Sequence, residues 1–446
     1  MRKSLVTALV LVFLIVVTPF AVTVLSVKAE SQMIVVPDDY SSITAALNNA
    51  ADGDIVFVKE GTYLEHQLNL NKSITLTGED ANNTVITNID SRSWDLSLDT
   101  FPPPAPTAIE ISANNVRVTG FTITCKDGWW APIAASANNS VITGNIISKS
   151  GGISVTGNNN TIAQNLFKPD VLGTFLVCDS SYNLIADNTM SKDTAETNVY
   201  LSVGGSSNLI YNNTLKSTSV EVSGNFNTLA KNKITNGGIE LDYPASNNKI
   251  ISNTKIDCLT LMGFNDVIEA NDIANVEIGG THGGSIDAAN NSFYHNNFLG
   301  IAPELRVSTK SPGTLIWDNG SEGNYWSNYK GTAANGGGIG NEPYQITAGY
   351  TYFDGAVRED SIVNCGQDNF PLMVPFNISS VNVQLPDWAL TSASLQVNPS
   401  PEPTLRDQQE STSPTPFPTT ITAIALGSSV GIVAVGLICY FRKRKL

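Results

Sequence analysis

A ten-residue motif that recurs along the middle of the chain limits the fold more than any other feature. It reads NNSVITGNII at 138–147, NNNTIAQNLF at 158–167 and SSNLIYNNTL at 206–215. Its anchor position, which is Phe121 in the first copy and asparagine in the eight later copies, recurs at intervals of 18 to 25 residues. Three positions before the anchor, all nine copies carry an apolar residue: Val118, Ile142, Ile162, Ile185, Ile210, Leu229, Ile250, Ile268 and Phe293.

The period and composition of this repeat predict an all-β fold, a parallel β-helix with coils of about 22 residues. Helical-pair repeats need about 33 to 47 residues, and the leucine spacing of a leucine-rich repeat is missing. In a β-helix each coil lays short strands about 4.8 Å above those of the previous coil. The apolar positions then stack into an interior core.

The first asparagines of the motif are predicted to form a structural turn ladder. Asparagine tolerates left-handed turn conformations, and its amide can bond the equivalent residue one coil away. The members of the predicted ladder are Asn160, Asn183, Asn208, Asn227 and Asn248. A catalytic role for them is not expected.

Both ends of such a stack expose apolar surface and need a cover. At the N-terminal side, the periodicity of 38–50 predicts a capping helix with Ser41 as its N-cap. At the other side, four aromatic residues are predicted to cover the last coil: Tyr325, Trp326, Tyr329 and Tyr344.

The regions outside the repeat predict a secreted, anchored protein. Residues 1–29 are typical of a signal peptide, and the uncharged run 421–441 is long enough to span a bilayer. We therefore expect a single-pass protein of the cell membrane, with its ectodomain outside and its C-terminus cytoplasmic. The expected divisions are a signal peptide 1–29, a β-helix ectodomain 30–376 with repeat coils 114–298 and a C-terminal cap 299–376, a Pro/Ser/Thr-rich stalk 377–420, a transmembrane helix 421–441 and a basic tail 442–446.

The charge balance argues against a nucleic-acid partner. Aspartate and glutamate number 40 against 25 lysines and arginines, which gives a formal net charge of −15. Phosphate backbones bind basic surfaces, so nucleic acid is not an expected partner of this acidic chain. The expected partners of a secreted, anchored ectodomain are cell-surface polysaccharides or surface proteins. Eight N-x-S/T sequons also predict a glycoprotein. The oligomeric state is left open.

Three stretches resemble the pectin-lyase-like superfamily of right-handed β-helices, and within it the NosD-like branch that includes archaeal surface proteins. They are the entry VPDDYSSITAALNNAADGDIVFVKEGTY, the asparagine coils, and the closing GNYWSNY, GIGNEPY and DNFPLM, which together cover 34–376. The resemblance implies a right-handed β-helix and an accessory role in copper handling. Three scattered histidines and five methionines argue against copper, which needs clustered ligands.

The outward strand positions supply the candidate catalytic residues. Alternation along five successive coils places Ser202, Glu221, Glu240, Thr260 and Glu277 in one outward column, and Asp242 shares the face of Glu240. Neighbouring carboxylates can split their pKa values for acid/base work or share a calcium ion. The catalytic candidates are thus Glu221, Glu240, Asp242 and Glu277, although no basic partner is apparent in these columns.

Aromatic residues in irregular insertions supply the candidate carbohydrate-binding residues, namely Trp94, Trp129 and Trp130. Two functions remain open. The first is a non-catalytic surface protein whose loops bind glycans or neighbouring proteins; the second is an anchored polysaccharide lyase or glycoside hydrolase that uses the acidic face. The missing basic partner favours the first.

The stretch between the closing tyrosines decides the metal prediction. Relatives commonly carry alternating Asp and Gly there, a pattern suited to calcium, whereas residues 333–341 read AANGGGIGN. Asn335, Asn341 and backbone carbonyls are the remaining oxygen ligands. No cofactor and no metal site is predicted, and weak calcium binding is kept as the alternative.

Overall fold

The chain folds into a parallel β-solenoid, in which short strands with alternating inward and outward side chains stack coil upon coil. The computed structural model describes residues 31–90, 107–125, 131–148, 151–168, 176–191, 199–279, 288–300, 305–307, 313–333, 336–354 and 357–389. Its strands form three long sheets. The predicted β-helix class is therefore confirmed as a parallel β-solenoid.

Sheets 1 and 2 are purely parallel. Sheet 1 has 13 strands: Met33–Val36, Ile55–Val58, Thr75–Gly78, Arg117–Thr119, Val141–Thr143, Thr161–Ala163, Leu184–Ala186, Leu209–Tyr211, Thr228–Ala230, Lys249–Ile251, Val267–Glu269, Asn291–Tyr294 and Leu315–Ile316. Sheet 2 has eight: Gly61–Glu65, Thr84–Asn88, Thr122–Cys125, Ile146–Ser148, Leu166–Lys168, Thr189–Ser191, Thr214–Lys216 and Lys233–Thr235.

Sheet 3 is parallel except for a closing antiparallel hairpin formed by its last two strands. It has 15 strands: Leu68–Leu70, Ile109–Ile111, Ile133–Ala135, Ile153–Val155, Leu176–Cys178, Val199–Val203, Thr218–Val222, Gly238–Leu241, Ile256–Leu261, Asp272–Ile278, Asn297–Phe298, Leu305–Val307, Tyr325–Trp326, Tyr344–Asp354 and Val357–Asp368.

The core is a set of apolar columns that run along the solenoid. In sheet 1 the apolar residue of each sequence motif pairs in register with its equivalent on the next coil, from Val118 to Phe293. All nine of these side chains are fully buried. Each coil therefore covers the apolar side chains of its neighbours. This burial of apolar surface is the main stabilising term in such a fold.

Two columns of buried amides line the corners on either side of sheet 1. We call the column at the corner between sheets 3 and 1 ladder 1; its members are Asn160, Asn183, Asn208, Asn227, Asn248, Asp266 and Asn291. Each backbone N–H in it donates to the side-chain oxygen of the next member at 2.7–2.8 Å. The five asparagines predicted as a turn ladder all lie in this column.

The second column, ladder 2, follows the strands of sheet 1; it lies at the corner with sheet 2 as far as Asn232 and at the corner with sheet 3 beyond it. It consists of Asn145, Asn165, Asn188, Asn213, Asn232, Asn253, Asn271, Asn296 and Asn324 and ends at the carboxylate of Asp368. The residue before each ladder asparagine is commonly left-handed, as Asn159 (φ 58°) and Asn212 (φ 52°) are. That conformation turns the chain through the corner and buries the following amide.

One short helix, Ile43–Asn49, lies against the first coils. It is shorter than the predicted 38–50, and its N-cap is Ser42 rather than Ser41, with Oγ accepting from the Ala45 N–H at 3.2 Å. Its buried side chains Ile43, Ala46 and Leu47 join the core. Its role as a cover of the first coil remains a prediction.

Residues 376–389, which run from the end of the predicted cap into the first part of the predicted stalk, pack on the solenoid. Phe376 exchanges two hydrogen bonds with Asn297, at 2.7 and 3.0 Å, and stacks on His295 with ring centroids 4.2 Å apart. Farther along, Trp388 contacts Tyr182 edge-on, and Ala389 is buried against an outer patch of sheet 1. We call residues 376–389 the strap.

The predicted single-pass membrane anchor is not supported. Across the described residues, no helix has both the length and the apolar character needed to cross a bilayer. The membrane localisation inferred from the sequence is withdrawn on this finding. The segments assigned to the signal peptide (1–29), the transmembrane helix (421–441) and the basic tail (442–446) lie outside the described residues.

Candidate functional site

The outward face of sheet 3 brings the predicted acidic residues into one register column. Consecutive pairing joins Ser202, Glu221, Glu240, Thr260 and Glu277 along the solenoid axis. The four acids of the prediction, Glu221, Glu240, Asp242 and Glu277, are all half-buried on this face. Neighbouring coils in a sheet are about 4.8 Å apart, so their carboxyl groups lie within reach of one another.

The column continues to a basic residue that the sequence reasoning missed. Strand Leu305–Val307 pairs with Asp272–Ile278 so that Arg306 occupies the position next to Glu277. The expectation that these columns hold no basic partner is therefore wrong. Leu305–Val307 follows the last asparagine motif, and only the apolar–Arg–apolar alternation of Leu-Arg-Val marked it as a strand of this face.

Glu221 and Asp242 are in direct contact. The pKa of Glu221 is raised, first by burial of its carboxyl group, then by the negative charge of Asp242 and by a hydrogen bond between the two side chains. Carboxyl groups held this close to each other on neighbouring coils form a compact acidic pair on the outward face. The arrangement presents the carboxyl oxygens of two acids to a ligand.

Aromatic residues lie in the turns that follow these acid-bearing strands, and Tyr243 directly follows Asp242 in the chain. The turn from Leu241 to Asn248 holds two more residues than the turns of the coils before and after it, and the extra length displays Tyr243. The Tyr243 side chain is 58% exposed and contacts Phe264 of the next coil edge-on, with centroids 6.3 Å apart. Phe226, on the preceding coil, is 62% exposed at the same corner.

We call Glu221, Asp242, Tyr243 and Phe264 the acid–aromatic site. Sequence reasoning placed its two acids and missed its two aromatic residues. The sequence carried a signal for them, because the lengthened turn interrupts the regular spacing of the coils. Large aromatic side chains in a solvent-facing turn are also not explained by packing in the core.

The predicted carbohydrate-binding tryptophans, Trp94, Trp129 and Trp130, lie outside the described residues.

The four predicted cap aromatics gather at the end of sheet 3. Trp326 is buried and stacks between Phe298 and Tyr344, with centroid distances of 4.2 and 4.5 Å. Tyr329 contacts Tyr344 edge-on, while Tyr325 bridges to Leu372. These rings continue the apolar interior into the last described turns.

Asp368 lies beneath this stack, and its carboxylate is fully buried. Oδ2 accepts hydrogen bonds from the Asn324 N–H at 2.7 Å and from Trp326 Nε1–H at 2.9 Å, and Oδ1 accepts from the Phe370 N–H at 3.0 Å. Burial raises the pKa of Asp368, and these donors oppose the shift. Both oxygens of this acid have partners.

The described part of the chain contains no group of three or more His, Cys, Asp or Glu side chains arranged to hold a metal ion. Of the residues considered for calcium, Asn341 uses its side-chain oxygen to accept from the Thr332 N–H at 2.9 Å. Asn335 lies outside the described residues.

No protein-family model matches the sequence, and no curated protein is similar to it. Among solved structures, a PL6 alginate lyase in complex with a trisaccharide aligns with 56% of this chain and 60% of its own, at 14% identity and a TM-score of 0.43. A second alginate lyase aligns with 65% of this chain and 73% of its own, at 14% identity and a TM-score of 0.44. The Dettilon tailspike protein aligns with 74% of this chain and 76% of its own, at 10% identity and a TM-score of 0.40. At these values the similarity concerns the β-helix fold alone.

Proposed function

We propose that this β-solenoid binds carbohydrate on the outward face of sheet 3, at the acid–aromatic site, without cleaving it. The observation that carries the proposal is the exposure of Tyr243, which is in edge contact with Phe264 and follows Asp242 directly in the chain. An exposed aromatic patch rimmed by polar groups marks an interaction surface. Neighbouring surface proteins are the other partners that such a face would suit.

The chemistry of the site matches that of a sugar ring. One face of a pyranose presents C–H groups that pack on an aromatic ring, while its hydroxyl groups need donors and acceptors at the edge. The aromatic rings supply the first, and the oxygens of Glu221 and Asp242 accept hydrogen bonds from the hydroxyl groups. Because the coils repeat along a flat sheet, an extended saccharide fits this face better than a compact small molecule does.

The test is a glycan-array screen with purified protein, followed by affinity measurement for any glycan that binds. Tyr243→Ala should weaken binding at least tenfold, because it removes the exposed ring and leaves the solenoid core untouched. Leu64→Ala, which truncates another exposed apolar side chain on sheet 2, serves as the matched control. Unchanged binding in Tyr243→Ala would exclude this site.

The tryptophans of the insertions form a second arm of the same screen. Trp94, Trp129 and Trp130 remain proposed contacts, and a Trp129→Ala/Trp130→Ala double variant tests them separately from Tyr243. Loss of binding in the double variant alone would move the proposed site from sheet 3 to the insertions.

Polysaccharide cleavage is the second candidate function, favoured by the Glu221–Asp242 contact and by the register position of Arg306. Two carboxyl groups and a cation are groups that acid/base cleavage uses. Analysis of the bound glycans for newly formed reducing or unsaturated ends separates the two functions, and such ends would replace the binding proposal with an enzymatic one.

Finer architectural assignments are proposals on the sequence motifs. They are membership of the NosD-like branch, right-handed winding of the coils, and covering of the two ends by helix Ile43–Asn49 and the aromatic stack. The helix is held at both ends by the first coils: Glu65 accepts from the Ile43 N–H at 2.7 Å, and Lys72 Nζ donates to the Ala50 carbonyl at 2.6 Å. These contacts support the covering role.

A further inference from the structure

Ladder 1 contains one carboxyl group where its described neighbours are amides. Asp266 lies between Asn248 and Asn291 and is 0% exposed. Its Oδ1 accepts from the Asn248 N–H at 2.7 Å and from Asn248 Nδ2 at 3.2 Å, as an asparagine oxygen would. Its Oδ2 is buried without a hydrogen-bond partner. A buried polar atom of this kind needs an explanation.

The repeat shows what the missing partner should be. Asn208, Asn227 and Asn291 each donate from Nδ2 to a backbone carbonyl three residues before the preceding ladder member, at 2.9–3.0 Å. For Asp266 the equivalent acceptor is the carbonyl of Ala245. A Cβ placed on Gly263 would lie 2.6 Å from the Ala245 oxygen and 2.7 Å from Asp266 Oδ2, so both oxygens face the same space.

Two acceptors facing each other in a dry interior repel, whereas a proton on Oδ2 turns the contact into a donor–acceptor pair. Burial raises the pKa of Asp266 to about 7, with the Asn248 hydrogen bonds opposing the shift. The titratable side chains on the adjoining stretches, Asp242, Lys249, Glu269 and Tyr294, are on outward positions, and none contributes to this shift.

The same carbonyl oxygen helps to hold the candidate binding surface. Ala245 accepts the Phe264 N–H at 3.2 Å, and its own N–H donates to the Asp242 carbonyl at 2.6 Å. Tyr243 lies between Asp242 and Ala245 in the lengthened turn. Any disturbance of the Ala245 carbonyl therefore reaches both aromatic residues of the acid–aromatic site.

We propose that Asp266 is a proton-controlled latch of this turn. With a proton on Oδ2, Asp266 donates to the Ala245 carbonyl as a ladder amide would, and the turn is fixed. When the proton leaves, the carboxylate repels that carbonyl, and the backbone carrying Tyr243 and Phe264 loosens. The consequence for ligand binding rests on the proposed function; the latch itself does not.

The decisive variant is Asp266→Asn, which restores an amide to the ladder, with exposed Glu342→Gln as the matched control. Hydrogen exchange of the peptide containing Phe264 is measured at pH 5.5 and 8.5 and corrected for the intrinsic pH dependence of exchange. In the wild type and in Glu342→Gln, exchange should be at least about tenfold faster at pH 8.5. In Asp266→Asn it should be slow at both values.

Titration of the Asp266 carboxyl carbon in ¹³C-aspartate-labelled wild-type protein supplies a measurement that needs no variant. A midpoint more than two pH units above that of the exposed aspartates supports the latch, and an ordinary midpoint overturns it. The latch is also overturned if hydrogen exchange in Asp266→Asn still depends on pH.

The binding arm separates the latch from the proposed function. Where a glycan binds, its affinity should fall between pH 5.5 and 8.5 in the wild type and stay constant in Asp266→Asn. Failure of every glycan to bind at either pH would refute the proposed function while the exchange and titration results still decide the latch.

Discussion

Asp266 and Asp368 are both fully buried carboxyl groups in line with an asparagine ladder, yet their surroundings differ. Asp368 ends ladder 2, and donors from Asn324, Trp326 and Phe370 reach both of its oxygens. Asp266 lies inside ladder 1, and one of its oxygens has no partner. The end of a ladder needs only acceptors, so a carboxylate suits it. Interior members of ladder 1 such as Asn208, Asn227 and Asn291 also donate from their side chains, which an ionised carboxylate cannot do.

Among the substitutions that test this comparison, Asp368→Ala should have the largest effect on stability. The substitution leaves the Asn324 and Phe370 N–H groups and the Trp326 indole N–H without acceptors beneath a stacked aromatic layer. We expect the free energy of unfolding to fall by about 4 kcal/mol, measured by urea denaturation. Asp368→Asn keeps one acceptor oxygen and should lose about half as much. Equal stability of Asp368→Ala and the wild type would show that the acid does not terminate the ladder.

A smaller loss is expected for an interior amide of ladder 2. Asn213 donates from Nδ2 to the Ile185 carbonyl and to Asn232 Oδ1, both at 2.9 Å, and it accepts from the Asn188 N–H at 3.0 Å. Asn213→Ala should cost about 3 kcal/mol in urea unfolding, because it leaves several buried groups unpaired. Asn212→Gly changes the adjacent exposed left-handed residue and should lower the free energy of unfolding by a few tenths of a kcal/mol at most. A similar cost for both variants would contradict a ladder role.

The third substitution turns an interior amide of ladder 2 into an acid. Asn253→Asp should reproduce the situation of Asp266, whose folded pKa of about 7 lies above the unfolded value of about 3.9. A raised folded pKa means that the folded state binds the proton more tightly, so stability is greatest below pH 4 and falls as the pH rises towards 7. We expect the variant to lose about 2 kcal/mol at pH 8 relative to pH 5. Urea midpoints that do not change with pH would show that ladder position does not control this proton.

The fold could be predicted from the sequence because its information is local and repeated. The anchor asparagines and the apolar residues three positions before them fix the strand, the corner and the inward face of each coil. The acids of sheet 3 could be placed for the same reason, since alternation and coil spacing together define an outward column. The anchor asparagines were interpreted only as markers of the repeat period, whereas in the structure they form ladder 2.

The features that were missed depend on departures from the repeat or on distant partners. Arg306 lies in a strand without the asparagine motif, and Tyr243 lies in an inserted turn. The proton-binding role of Asp266 depends on the carbonyl of Ala245, 21 positions away in the chain. The strap looked like an extended linker because a few side chains, chiefly Trp388 and Ala389, provide its contacts among many polar residues.

The strap changes how this solenoid should come apart. A stacked repeat is normally coupled only between neighbours, so its coils can open one after another from an end. Here a single segment contacts His295 and Asn297 at one point, Ser252 at a second, and Tyr182 and Leu184 at a third. The coils between these points share one tether. Opening any of them should require releasing the strap, which makes this stretch a single cooperative unit of unfolding.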